Sequence, residues 1–116
     1  MEFFEAPWFT EDLGDYLTDD EYRQLQAFLV VNPRAGDVIR GTGGLRKIRW
    51  SQEARGKGKR GGVRVIYFLA LADRILMIAV YDKDTQDDLS LRDRKTFKAY
   101  IELALLGLRA SRKGSR

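Results

Sequence analysis

The chain contains no cysteine and no histidine. Those two absences remove disulfides, thiolate nucleophiles, the usual zinc ligands and every imidazole acid–base mechanism. Any catalysis must therefore use lysine, arginine, tyrosine or carboxylates, and neither a metal nor a cofactor is expected. A long hydrophobic run is also missing. The longest apolar stretch, residues 63–81, is broken by Asp73 and Arg74 and carries Arg64 near its start, which argues against a membrane span. The first residues, Met1-Glu2-Phe3-Phe4-Glu5, are acidic and lack the basic region of a secretory signal. The expected location is cytoplasmic, with no membrane partner.

What is present fits one folded domain. A length of 116 residues leaves no room for two independent cores, and 44% hydrophobic with 33% charged residues is ordinary for a globular chain. We place the domain at 1–109, followed by a basic, flexible tail at 110–116. The net charge of +4 conceals strong segregation. Residues 1–39 hold 2 basic and 9 acidic groups (net −7), and residues 40–64 hold 9 and 1 (net +8). Residues 65–88 hold 2 and 5 (net −3), and residues 89–116 hold 8 and 2 (net +6). A concentrated positive region on a small protein suits a phosphate polymer, whose binding is driven by counterion release. The competing explanation is a solvated basic loop.

The pattern along the chain predicts strand, two helices, three strands, helix. Residues 2–9 are aromatic and contain Pro7, which suits an edge strand. Thr10 can cap a short helix over 11–17. Thr18-Asp19-Asp20-Glu21 is a capping box, and Tyr22, Leu25, Phe28 and Leu29 continue at helical spacing until Asn32-Pro33 stops the helix. The two helices are expected to form a helical hairpin. Residues 34–44, with four glycines, read as a loop. Residues 45–50 alternate as a strand, and 51–62 form a glycine-rich basic loop. Residues 63–71 and 75–81 are rich in β-branched and aromatic residues and read as an antiparallel hairpin. Ser90-Leu91-Arg92-Asp93 caps a final helix with Phe97, Tyr100, Ile101, Leu105 and Leu108 on one stripe. The fold class is α+β, a small antiparallel sheet packed on helices.

Two motifs fail on context. Gly56-Lys57-Gly58-Lys59-Arg60-Gly61 matches G-x-G-x-x-G, but a strand follows it where a dinucleotide site needs a helix N-terminus. Asp82, Asp84, Asp87, Asp88 and Asp93 resemble a calcium loop, yet Asp87 stands where the mid-loop glycine belongs. Helix N-terminal charge suits these residues better.

The informative set is Lys47, Arg49, Arg64 and Lys83, because they belong to different strands. Alternation puts Lys47 and Arg49 on one face, Arg64 opens the next strand, and Lys83 closes the last. Cations converging from a sheet suit RNA cleavage by the RNA's own 2′-hydroxyl, in which charge builds on the phosphorane oxygens and the departing 5′-oxygen. Arginine offers a bidentate fork to phosphate, and lysine can exchange a proton. Pairing with the acidic N-terminal segment is the alternative. Arg46, Arg55, Lys57, Lys59 and Arg60 add possible RNA or ribosome contacts. Trp50, Tyr67 and Tyr81 offer faces for stacking bases, although strand aromatics more often fill cores.

The stretches Gly41-Thr42-Gly43-Gly44-Leu45-Arg46-Lys47-Ile48-Arg49-Trp50, Gly56 to Gly62 with Val63-Arg64-Val65-Ile66-Tyr67, and Tyr81-Asp82-Lys83 leading to Asp88-Leu89-Ser90 resemble the RelE/HigB toxins of type II toxin–antitoxin systems, the HigB branch most closely. The likeness spans about Phe3 to Leu108. It implies a RelE-like fold and a metal-independent endoribonuclease that cuts messenger RNA in the ribosomal A site, halting translation and growth. It implies Lys47 and Arg49 as the basic strand pair, Arg64 as the phosphate-binding arginine and Lys83 as a catalytic cation. It also implies a cognate helix-turn-helix antitoxin, with operator DNA contacted only through that partner. One position departs: the family's stacking or proton-transferring tyrosine falls at Leu89, leaving Tyr81 or a lysine of altered pKa for the role. Two rivals remain, a ParE-like toxin that binds gyrase and a non-catalytic RNA-binding module.

Overall fold

The computed structural model describes residues 1–50, 62–82 and 88–114. Its elements are β1 (Glu2–Glu5), α1 (Pro7–Tyr16), α2 (Asp19–Val31), β2 (Asp37–Val38), β3 (Arg46–Trp50), β4 (Val63–Leu71), β5 (Arg74–Asp82) and α3 (Leu91–Gly114). The class is α+β: three helices and a five-stranded sheet in the order β1-β5-β4-β3-β2.

The sheet is mixed, not wholly antiparallel as expected. β2 to β5 pair antiparallel, but β1 lies on the outer edge of β5 and runs parallel to it, with Phe3 opposite Ile75. Tight turns force antiparallel neighbours, whereas most of the chain separates β1 from β5, so either direction is open to that pair.

Two further expectations shift at the N-terminus. β1 ends at Glu5, and Pro7 opens α1 rather than sitting in a strand. Proline suits the first helical position, because its fixed φ is helical and its missing N–H would have no partner there. Ala6 is the cap residue without a side-chain bond, so Thr10 does not cap. Its hydroxyl donates to Glu5 Oε1 at 2.7 Å, and the Tyr22 hydroxyl donates to Glu5 Oε2 at 2.8 Å. One carboxylate thereby ties β1, α1 and α2 together.

The capping box of α2 forms as the sequence indicates: the Glu21 amide donates to Thr18 Oγ1 at 3.1 Å, and the Thr18 amide donates to Glu21 Oε1 at 2.8 Å. The Ser90–Asp93 pair does the same for α3. α3 runs on through Gly114, past Ala110 where the tail was placed.

The 34–44 loop contains a short strand. Val38 pairs with Arg46, and the Ile39 amide donates to the Leu45 carbonyl at 2.8 Å. Thr42 closes the turn between them, donating to Ile39 O and accepting from the Leu45 amide. Upstream, the Tyr67 hydroxyl accepts from the Gly36 amide (2.8 Å) and donates to the Pro33 carbonyl (2.9 Å).

Both faces of the β4–β5 part of the sheet are buried, but by different helices. On one face Val63, Val65, Tyr67, Ile75, Met77 and Val80 pack with Phe9, Leu25 and Leu29 of α1 and α2. On the other, Ile66, Leu76, Ile78 and Tyr81 pack with Leu89, Phe97 and Ile101. A one-residue shift in the β4–β5 pairing makes this assignment possible. Ile66 faces Ala79 and Tyr67 faces Met77, leaving Ile78 extra. This bulge re-phases β5, so that Tyr81 joins Leu76 on the α3 face; strict alternation would have sent it to the opposite side.

A Cβ at Gly36 would lie 2.8 Å from the Tyr67 ring, whereas one at Gly14, within α1, meets nothing within 4 Å. Gly36→Ala should therefore cost about 1–3 kcal/mol by overpacking. Gly14→Ala should gain about 0.5–1 kcal/mol by restoring helix propensity. Urea unfolding of the two variants gives both signs, and equal effects would contradict the packing at Gly36.

Candidate functional site

β3 fixes the geometry of the cationic cluster. Its alternation turns Lys47 and Arg49 toward the α3 side of the sheet and Arg46, Ile48 and Trp50 toward the α1–α2 side. Pairing carries the first side across: Arg49 lies opposite Arg64, and Arg64 lies opposite Tyr81. Residues directly opposed in antiparallel strands share a face, with side chains in reach of one another. Two arginines so placed repel, and a like-charge pair in this position is destabilising.

α3 covers the β4–β5 part of this face and leaves the β2–β3 part open. There a groove of about 760 Å³ is lined by Arg40, Lys47, Arg49 and Arg94, together with Asp37 and Asp88. Arg49 is exposed, and Lys47 is half-buried in the groove wall. Arg64 is different. It is only 3% exposed, and its Nη1 donates to the Gly62 carbonyl at 3.3 Å. Among the described residues, neither Arg49 nor Arg64 makes an ion pair. Arg64 thus lies beside the groove within the sheet and contributes field rather than an open hydrogen-bonding fork.

Asp88 shows what the groove can hold. Its Oδ1 sits 3.6 Å from Lys47 Nζ, and its Oδ2 sits 3.3 Å from Arg94 Nη2. The Leu89 amide donates to Oδ1 at 2.8 Å. That amide, reinforced by Lys47 and Arg94, holds the Asp88 carboxyl below the usual carboxylate range despite some desolvation. An oxyanion bridging a lysine and an arginine is the arrangement a phosphate would adopt.

The structure separates the remaining candidates. Arg46 faces the other side, where its Nη1 donates to the Gly36 and Arg34 carbonyls at 2.8 and 3.1 Å; it fastens the loop before β2. Trp50 also points away from the groove and packs on Phe28, ring centroids 5.4 Å apart. Tyr67 is fully buried. Tyr81 is on the groove side but 6% exposed, so it has no face to offer a base. Among the described residues its hydroxyl finds no hydrogen-bond partner. Burial, aided by Asp88 and opposed by Arg64, pushes that phenol up to about 12, which keeps it protonated near neutrality and unsuited to act as a base. Leu89, where the resemblance to RelE toxins would put a tyrosine, is a core residue. Lys83, Arg55, Lys57, Lys59 and Arg60 lie outside the described residues.

Sequence reasoning missed Arg40, Arg94 and the bridging role of Asp88. Arg40 precedes a glycine turn, whereas Asp88 and Arg94 flank the start of α3, so no local pattern links Arg40 or Lys47 to those two. Only the packing of α3 beside β2 and β3 brings them together. No protein-family model matches the chain.

Tyr81 generates a pH prediction. Its folded-state pKa of about 12 exceeds the ordinary 10.0, so its contribution to stability is fully present below pH 10 and lost as pH rises through about 12. Tyr81→Phe removes the ionisable group, and with it the alkaline loss, together with a buried hydroxyl that has no partner among the described residues. At pH 7 we expect no loss of stability, and a gain of up to about 1 kcal/mol. Between pH 10 and 12 the decline should be shallower than in the parent chain. An unchanged alkaline decline in urea titrations would contradict the assignment.

Proposed function

We propose that the chain is the toxin of a type II toxin–antitoxin pair, a RelE-like endoribonuclease of the HigB kind that cuts messenger RNA on the ribosome. The observation that carries this reading is the Arg49–Arg64 pair, two guanidinium groups opposed across adjacent strands beside a groove lined by further cations. A fold retains such repulsion when an anion relieves it. In this reading the α1–α2 segment, the antiparallel part of the sheet and α3 form a RelE-like arrangement, and the basic groove is also the surface a helix-turn-helix antitoxin covers. Operator DNA is reached only through that antitoxin.

The chemistry follows from the groups at hand. The 2′-oxygen of the message attacks the adjacent phosphorus, and the bond from phosphorus to the 5′-oxygen breaks. A 2′,3′-cyclic phosphate and a free 5′-hydroxyl result. Arg49 binds the non-bridging oxygens, Arg64 adds positive potential from within the sheet, and the Lys47 ammonium protonates the departing oxygen. Lys83 is a further cation for the same step. The hydroxyl's proton passes to water, and the ribosome supplies the in-line geometry that so small a set of groups leaves to a partner. Asp88 occupies the phosphate position until the message displaces it.

Induction of the toxin followed by primer extension on cellular messages tests the proposal. Codon-registered cuts ending in cyclic phosphate support it. Gyrase-linked DNA damage without RNA cuts would assign the chain to the ParE kind, and ribosome binding without cuts to a passive RNA-binding module. Arg49→Ala should lower cleavage about 10²–10³-fold, as loss of one donor to a developing oxyanion does, with its melting temperature unchanged. Arg64→Ala should abolish growth arrest; circular dichroism of the purified variant separates loss of charge from loss of fold. Asp88→Asn should tighten RNA binding, because it removes the internal competitor.

A further inference from the structure

We propose that a second phosphate-binding surface, formed by Arg40, Arg94, Lys95 and Lys98, continues the groove along α3 and grips the backbone of the RNA strand beyond the bond that is cut. The inference rests on the reading that the groove binds RNA, and it assigns residues that neither the resemblance nor the β3–β4 cluster includes.

Leu91, Arg94, Lys95 and Lys98 recur at intervals of three and four, so they form one stripe of α3. Arg40 and Gly41 lie across from that stripe, and together they line a depression of about 330 Å³. Arg40 and Arg94 line the groove as well, so the two concavities are continuous. The Arg94 Nη1 reaches the Arg40 carbonyl at 3.5 Å, which marks the junction.

The charge balance of the two concavities differs. The groove carries Asp37 and Asp88, while among the described residues no carboxylate lines the depression. Among the described residues, Arg40, Lys95 and Lys98 make no ion pair, and Arg94 has only Asp88. The Arg94 Nε is buried without a hydrogen-bond partner among the described residues.

Two physical costs make this cluster improbable as mere surface. Cations three and four residues apart on a helix repel. Arg94 and Lys95 also sit at the end of the first turn of α3, which begins at Leu91, where the macrodipole is positive and favours anions. An external polyanion reverses both costs at once, because the same amide dipoles and ammonium groups then act on it together.

The lining names the part of the polymer that is held. Among the described residues it contains no aromatic side chain, so bases find no stacking platform there, and contact is to phosphates irrespective of sequence. Arg94 and Lys98 are separated by about 6 Å along the helix axis. The surface therefore follows a backbone instead of enclosing a single ion.

Fluorescence anisotropy with labelled, uncleavable 2′-O-methyl oligoribonucleotides, a trimer and a dodecamer, tests the surface. The double variant Lys95→Gln/Lys98→Gln keeps good helix formers and should fold normally. Its affinity for the dodecamer should fall, and the slope of log affinity against log salt should shrink by about 1.4, or ~0.7 for each lost contact to a single strand. Its affinity for the trimer should not change. Lys47→Gln/Arg49→Gln should instead weaken both lengths. If the α3 variant binds the dodecamer with the parental slope while the groove variant loses the trimer, the extension is wrong and the groove reading survives. If the groove variant binds the trimer as tightly as the parent while the α3 variant loses the dodecamer slope, the extension stands and the groove reading fails. Loss of binding to polyglutamate rather than to RNA in the α3 variant would assign the surface to an acidic protein partner and overturn the proposal.

Discussion

The register between β3, β4 and β5 governs the rest of the molecule. A shift of one residue in any of these pairings would exchange the two faces of a strand, moving core residues to the groove and groove residues to the core. In the observed register, Arg49, Arg64 and Tyr81 form one row, and the Ile78 bulge keeps that row on the α3 side while Ile75 and Met77 remain in the α1–α2 core. The bulge therefore reconciles two demands on β5: filling a core on both faces, and finishing with the correct face toward α3.

Partial coverage of that second face creates the groove. α3 lies over β4 and β5 and seals Ile66, Ile78 and Tyr81, but it leaves β3 and the two-residue β2 open at the sheet edge. The exposed floor then carries Lys47 and Arg49, and the start of α3 supplies Arg94, with Asp88 from the segment just before it, as one wall. Asp88 offsets part of the resulting repulsion from inside the fold. Its carboxylate, held by the Leu89 amide, bridges Lys47 and Arg94, so the groove carries its own counter-anion in the absence of a ligand.

Some of this was readable in order along the chain. The Thr18–Glu21 and Ser90–Asp93 boxes each depend on residues three apart, and both mark helix starts in the structure. The Ala72-Asp73 turn between two β-branched runs likewise specified the β4–β5 hairpin. Alternation in β3 correctly put Lys47 with Arg49, since that inference needs only the two-residue period of a strand. Aromatic roles were harder to read. Trp50, Tyr67 and Tyr81 all lie in strands, and nothing local distinguishes a ring that packs on Phe28 from one that faces solvent. Pro7 was misplaced because proline is compatible with both an edge strand and a first helical turn, and the choice falls to what α1 packs against.

The sequence by itself determined most of the secondary elements, β2 and the β1–α1 boundary excepted, together with the α+β class, the charge segregation and the absence of imidazole and thiol chemistry, because these depend on residue type and on spacing within a few positions. Only the tertiary structure decided that β1 runs parallel at the edge, that Arg64 is buried while Arg49 is exposed, and that Arg40, Asp88 and Arg94 share a groove with Lys47. Those facts depend on pairings between residues dozens of positions apart. Such pairings are chosen by how both faces of the sheet can be covered at once, a condition that no single segment carries.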